Sequence, residues 1–177
     1  FGETSIIFDV ITENMGIYSF LGKGIKKRKD FSLLQPFKEL KFTFSPKKNL
    51  PILSKYEMIQ NFDVGKNNLL LCGIYMNELI YKFIPQREPC INLYKLYKDQ
   101  LSKMTDSKIE IDERLLKFEL LFLKEIGYEI TVANDGEEIN NNKHYYYLHN
   151  SGFEEVRNKL DLDLSITGED LKLLINK

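Results

Sequence analysis

The spacing of apolar residues changes once along this chain, from every second residue to every third or fourth, and that change bounds the folds open to it. In residues 5–12, Ile6, Phe8 and Val10 alternate with Ile7 and Asp9. This period sends successive side chains to opposite faces of a strand. The run 13–16, Glu-Asn-Met-Gly, is a turn signal, and 17–21 reads as the returning strand of a hairpin. Leu40, Phe42 and Phe44 share one face of a further strand, with Lys41 and Thr43 on the other. Ser45-Pro46 ends it, and residues 50–58 supply another strand. Short strands at close spacing fit a small Greek-key barrel, and periodicity alone fits a generic barrel as well as an oligonucleotide-binding one.

From Leu69 the helical period takes over. Residues 69–84 place Leu70, Ile74, Tyr81 and Ile84 near one stripe, and Pro85 stops the helix. A second helix covers about 90–101, with Leu93, Leu96, Tyr97 and Leu101 at three- and four-residue spacing. The third, 113–126, is apolar nearly all round and closes on Gly127, where a left-handed cap is expected. That composition makes it the expected centre of the helical part. Strands are expected over 128–133 and 144–149, and Thr167-Gly-Glu-Asp170 resembles a capping box opening a last helix. The polar stretch 60–68 reads as a linker, so the expected modules are 1–60 and 67–177.

Charge divides the same way. Residues 1–60 carry ten Lys/Arg against six Asp/Glu, whereas 61–177 carry fifteen against twenty. The net charge of −1 argues against a strong nucleic-acid binder, but the asymmetry suggests two modules with different partners. The basic excess peaks in Lys23, Lys26, Lys27, Arg28 and Lys29, five cations within seven residues, hinged by Gly22 and Gly24. Such a stretch suits a mobile loop tracking a phosphate backbone. A solvated basic connector between strands is the plainer alternative. Lys41, Lys47 and Lys48 are further candidate phosphate contacts, and Tyr18 is a candidate for base stacking.

Motifs for catalysis are missing from the chain: there is no GxSxG, P-loop, HExxH or paired-cysteine zinc spacing. His144 and His149 fall on opposite faces of a strand-like segment and read as structural. No enzyme activity, cofactor or metal site is expected. Cys72 and Cys90 are too few for a disulfide framework, which favours a reducing, cytoplasmic setting. The longest apolar run, 69–76, is far short of a membrane span.

Several fragments, in order, carry a resemblance. They are Gly2-Glu3-Thr4-Ser5 leading into a strand, 12–16 at the hairpin, Lys23-Gly24 with the basic loop, and Leu34-Gln35-Pro36-Phe37. Tyr75-Met76-Asn77-Glu78-Leu79-Ile80, residues 115–119 and Gly127-Tyr128 continue the series. Together they resemble the bacterial recombination mediators of the RecO family. The resemblance implies an α+β chain: an N-terminal OB-fold β-barrel, its first strand cut short here, then a mainly α-helical domain whose closing helices after residue 177 are absent. It implies DNA repair in the RecF pathway, by binding and annealing single-stranded DNA, engaging the C-terminal tail of SSB, and working with RecR to load RecA at the nucleoid. Many members carry four zinc-binding cysteines after the Gly-Tyr pair; residues 134–149 contain none. Arg114 and Lys117, beside the apolar third helix, are the candidates for holding the carboxylate end of an SSB tail. A protein-interaction adaptor with the barrel as scaffold, and an RNA-binding barrel protein, are the alternative readings.

Overall fold

Thr12 closes the first hairpin: its hydroxyl donates to Gly16 O at 2.7 Å and accepts from Met15 N at 3.0 Å. The hairpin joins β1 (Ile6–Thr12) to β2 (Gly16–Gly22) in antiparallel register, Phe8 opposite Phe20 and Val10 opposite Tyr18. Strands β3 (Lys38–Ser45) and β4 (Ile52–Asn61) form a second antiparallel pair. The two pairs meet through a parallel step between β2 and β4, which gives the order β1-β2-β4-β3. The computed structural model describes residues 3–45, 50–64, 68–104, 111–128, 130, 138–148, 151–157 and 165–175. Among them the sheet is open, with β1 and β3 at its edges, where the sequence predicted a closed barrel.

Four aromatics line the inner face of this sheet. The Phe20 ring lies 5.7 Å from Phe42 and 5.1 Å from Phe44, and Tyr18 lies 5.3 Å from Phe20. Offset and tilted pairs at these separations add to the stabilisation from burial itself. On β3 the predicted alternation holds, with Leu40, Phe42 and Phe44 inward and Lys41 and Thr43 exposed.

Helices follow at α1 (Asn68–Phe83), α2 (Ile91–Ser102) and α3 (Ile111–Glu125). The described residues fall into two compact units, Phe1–Leu115 and Leu116–Lys177, whose boundary lies within α3. In the first unit α1 buries Gly73, Met76 and Ile80, whereas of the predicted stripe Leu70, Ile74 and Tyr81 are exposed and Ile84 is half-buried. This helix is apolar on more than one side, so periodicity could not choose the buried face. Helix α2 buries Leu93 and Leu101 as expected. The stretch 60–68 read as a linker instead holds the end of β4 and two core residues, Phe62 and Val64, and Phe62 N donates to Phe37 O at 2.9 Å.

Helix α3 ends in the second unit as its sequence predicts. Gly127 takes φ 89°, its N–H donates to Lys124 O at 3.1 Å, and Tyr128 N donates to Leu123 O at 2.8 Å. These two bonds form a Schellman motif. Phe118 and Phe122 are the buried residues here, ring to ring at 5.8 Å, while Leu116 is exposed, so α3 is not buried on all sides. Strands β5 (His144–Leu148), β6 (Gly152–Glu155) and β7 (Ser165–Thr167) form a sheet in the order β6-β5-β7. The predicted strand over 128–133 lies mostly outside the described residues, as does His149. Thr167 caps α4 (Gly168–Ile175), its Oγ1 accepting from Asp170 N at 3.1 Å and donating to the Asp170 carboxylate at 2.7 Å.

The fold class is therefore α+β, an N-terminal sheet of two antiparallel pairs joined by a parallel step, followed mainly by helices. No described helix is long and apolar enough to cross a membrane.

Candidate nucleic-acid interface

The basic stretch after β2 folds as two short 3-10 turns, residues 25–27 and 31–34, rather than as an open glycine-hinged loop. Its anchor is Ile25, an apolar residue among cations, only 1% exposed. Ile25 packs with Leu53 and Tyr56, and Phe8, Phe31 and Phe42 close around them. Backbone bonds hold the turn on both sides: Lys26 N donates to Thr4 O at 3.1 Å, and Arg28 N donates to Ile25 O at 3.1 Å. Gly24 N donates to Ser5 Oγ at 3.2 Å. With Ile25 buried, Lys23, Lys26, Lys27 and Lys29 project into solvent. They form a compact cationic knob on a fixed base.

Arg28 behaves differently from its neighbours. Its Nε and Nη2 donate to the two carboxylate oxygens of Asp30 at 3.0 and 2.8 Å, a fork-on-fork pair. The guanidinium carbon stands 4.6 Å above the centre of the Tyr56 ring. The hydrogen bond from Arg28 holds the Asp30 carboxyl below the usual carboxylate range and raises the arginine in turn. Burial pushes the Tyr56 phenol up to about 12, with the neighbouring Asp30 carboxylate adding to the rise.

The other predicted contacts scatter. Lys41 is exposed on the outer face of β3 but sits opposite Glu57 of β4. Lys47 and Lys48 lie outside the described residues. The Tyr18 ring is half-buried, with the Arg87 guanidinium 5.2 Å from its centre, so that face is already covered. Lys117 is exposed, whereas Arg114 is only 6% exposed and so does not stand on a solvent-facing edge as the sequence suggested. Among the described residues no group of three or more His, Cys, Asp or Glu is placed to hold a metal ion.

Sequence reasoning missed two participants. Lys55, exposed on β4, stands opposite Thr43 and adds a cation to the outer face of the sheet. Asp30, not singled out from the sequence, governs Arg28. The spacing Arg-Lys-Asp was a usable signal, since residues two apart can meet across a tight turn.

A second feature of the first unit is a cavity of about 630 Å³ between the inner sheet face and helices α1 and α2. Its walls are mostly apolar, including Phe8, Val10, Leu40 and Ile80, with Glu39, Tyr94 and Lys98 among several polar members. Glu39 Oε1 accepts from Tyr94 Oη at 3.0 Å and from Lys98 Nζ at 2.7 Å.

An open four-stranded sheet of short strands carrying a fixed cationic turn, followed by helices, fits the oligonucleotide-binding-fold class. Comparison with known families narrows that class. Residues 1–62 match the model described as recombination protein O N terminal, and residues 68–174 match recombination protein O C terminal. A DNA repair protein RecO of Polynucleobacter necessarius is 34% identical over 131 residues, covering 71% of this chain and 54% of the relative. The DNA repair protein RecO of Mannheimia succiniciproducens is 30% identical over 176 residues, covering 97% of this chain and 76% of the relative. The chain thus spans about half the length of the Polynucleobacter relative and about three quarters of the Mannheimia one. It belongs to the recombination protein O family.

Proposed function

We propose that this protein is a non-catalytic mediator of DNA repair and homologous recombination in the RecF pathway, acting at the nucleoid in the cytoplasm. Its N-terminal module, residues 1–60, holds single-stranded DNA and promotes annealing. Its second module, 67–177, engages SSB, and the assembly works with RecR to load RecA. The observation that carries the DNA-binding part is the turn itself: Lys23, Lys26, Lys27 and Lys29 face solvent from a base pinned by Ile25. Cations held this way neutralise phosphates and release counterions without reading bases, which suits a protein that must bind any sequence. Lys41 and Lys55 extend the positive surface onto the sheet. The relatives' names, DNA repair protein RecO, support the pathway. In the second module Lys117 is the exposed cation suited to a tail carboxylate, beside the exposed Leu116.

A fluorescence titration of the full chain with single-stranded DNA at several salt concentrations tests this reading. Replacing Lys26, Lys27 and Lys29 together with Ala should weaken binding equally for all sequences. The log-log salt slope should fall by roughly 2, about 0.7 for each lost phosphate contact. Unchanged affinity and slope would leave the adaptor reading in place. Tighter binding of an RNA oligonucleotide in competition would favour the RNA-binding one.

A further inference from the structure

Arg28 is the one cation of the turn whose hydrogen-bonding face is already engaged among the described residues. Two of its three nitrogens donate to Asp30, and the third, Nη1, donates to Ser54 O at 3.4 Å. That carbonyl belongs to an irregularity in the β3–β4 ladder, where the register shifts between Thr43 and Phe44. Thr43 pairs with Lys55 and Phe44 pairs with Leu53, so Ser54 is the extra residue of a bulge. A bulge leaves a backbone group outside the ladder. Here Ser54 Oγ donates to Thr43 O at 2.8 Å, and its carbonyl turns to Arg28. The ring of Tyr56, two residues on, covers one face of the guanidinium.

We propose that Arg28 is a positioning residue of the cationic turn and not a phosphate ligand, and that Asp30 withholds its charge from the nucleic acid. This rests on the reading of the turn as the DNA contact. Three separate tethers from Arg28 reach Asp30, the Ser54 bulge and the Tyr56 ring. They fix the exit of the first 3-10 turn onto β4 just as Ile25 fixes its middle. The lysines on either side are thereby presented from a defined base. An arginine already neutralised by a bidentate carboxylate displaces no counterion from the nucleic acid and draws little net attraction from a phosphate. The turn then offers four cations, Lys23, Lys26, Lys27 and Lys29, where the sequence counts five.

Two variants of the full chain separate the roles, with the triple lysine replacement as control. In Arg28→Gln with Asp30→Asn the local net charge is that of the parent. Its single-stranded DNA salt slope should equal the parent's, while affinity at a fixed salt falls about tenfold, the scale of one lost charge-assisted hydrogen bond. Arg28→Lys keeps the charge but loses the planar fork and the stacking, and should show the same affinity loss with the same slope. A slope lower by roughly 0.7 in the neutral pair would make Arg28 a phosphate contact and overturn the inference. Parent-like binding by Arg28→Lys would also overturn it, because charge alone would then suffice. If the control lysine replacements leave the slope unmoved, the DNA-binding reading of the turn fails, and the inference falls with it. A reduced slope in the control together with a reduced slope in the neutral pair sinks the inference alone.

Discussion

Lys98 Nζ lies 2.7 Å from Glu39 Oε1, a contact between residues 59 apart in sequence that ties α2 to the edge strand β3. The Glu39 side chain is only 13% exposed and also accepts from Tyr94, so one carboxylate holds two residues of one helix turn against the sheet. Exposed ion pairs contribute little because water and salt screen them. Here the lysine end is 41% exposed, which limits the gain, while the sheltered carboxylate raises it toward the upper end of the surface range.

A double-mutant cycle with Glu39→Gln and Lys98→Met should therefore give a coupling of about 1 kcal/mol in urea unfolding, shrinking in high salt. Additivity to within about 0.3 kcal/mol would mean that the pair contributes nothing to stability.

The β1–β2 turn makes a second long-range contact. Gly16 has φ 67°, and a Cβ there would stand 1.8 Å from Glu88 O, an impossible approach to backbone. The segment after α1 is held in place alongside, with Arg87 N donating to Ile17 O at 2.9 Å. Gly16→Ala should cost at least about 2 kcal/mol, combining the left-handed backbone with displacement of that segment. Chemical denaturation measures it, and a loss under about 0.5 kcal/mol would contradict the packing described.

Tyr56 and Tyr94 have phenols pushed up to about 12, chiefly by burial, and burial raises Tyr97 as well. A phenol with a raised folded-state pKa contributes stability that is complete below the ordinary value near 10. That contribution is lost as pH rises through about 12. Spectrophotometric titration should show three of the ten tyrosines ionising last, together with alkaline unfolding of the first unit. Ionisation of all ten in one step near pH 10, with the fold intact, would show that these rings are not sheltered.

Local rules made several elements readable from sequence. The Thr12 turn, the Gly127 cap and the Thr167 cap each depend on partners within about five residues, as do the alternation of β3 and the helical spacing of α2. The family, too, was visible in short fragments strung in order. Helix α1 shows where local pattern runs out: with apolar residues on several sides, only its tertiary neighbours, Gln100, Met104 and Ile111 beside Met76 among them, decided that Met76 and Ile80 would be buried and Ile74 exposed.

The candidate interface divides in the same way. That the stretch 23–29 is cationic and faces solvent was settled by composition, because desolvating so many like charges is prohibitive. Which cations remain free was not. Ile25 is drawn into a pocket made by Leu53 and Tyr56, and Arg28 meets Ser54 because a bulge 26 residues away turns a carbonyl toward it. Arg114, an expected surface cation, is buried. Local sequence determined the elements, their caps and the sign of the charge. Tertiary structure decided which side chains those elements place against one another, because such contacts join residues that nothing along the chain links.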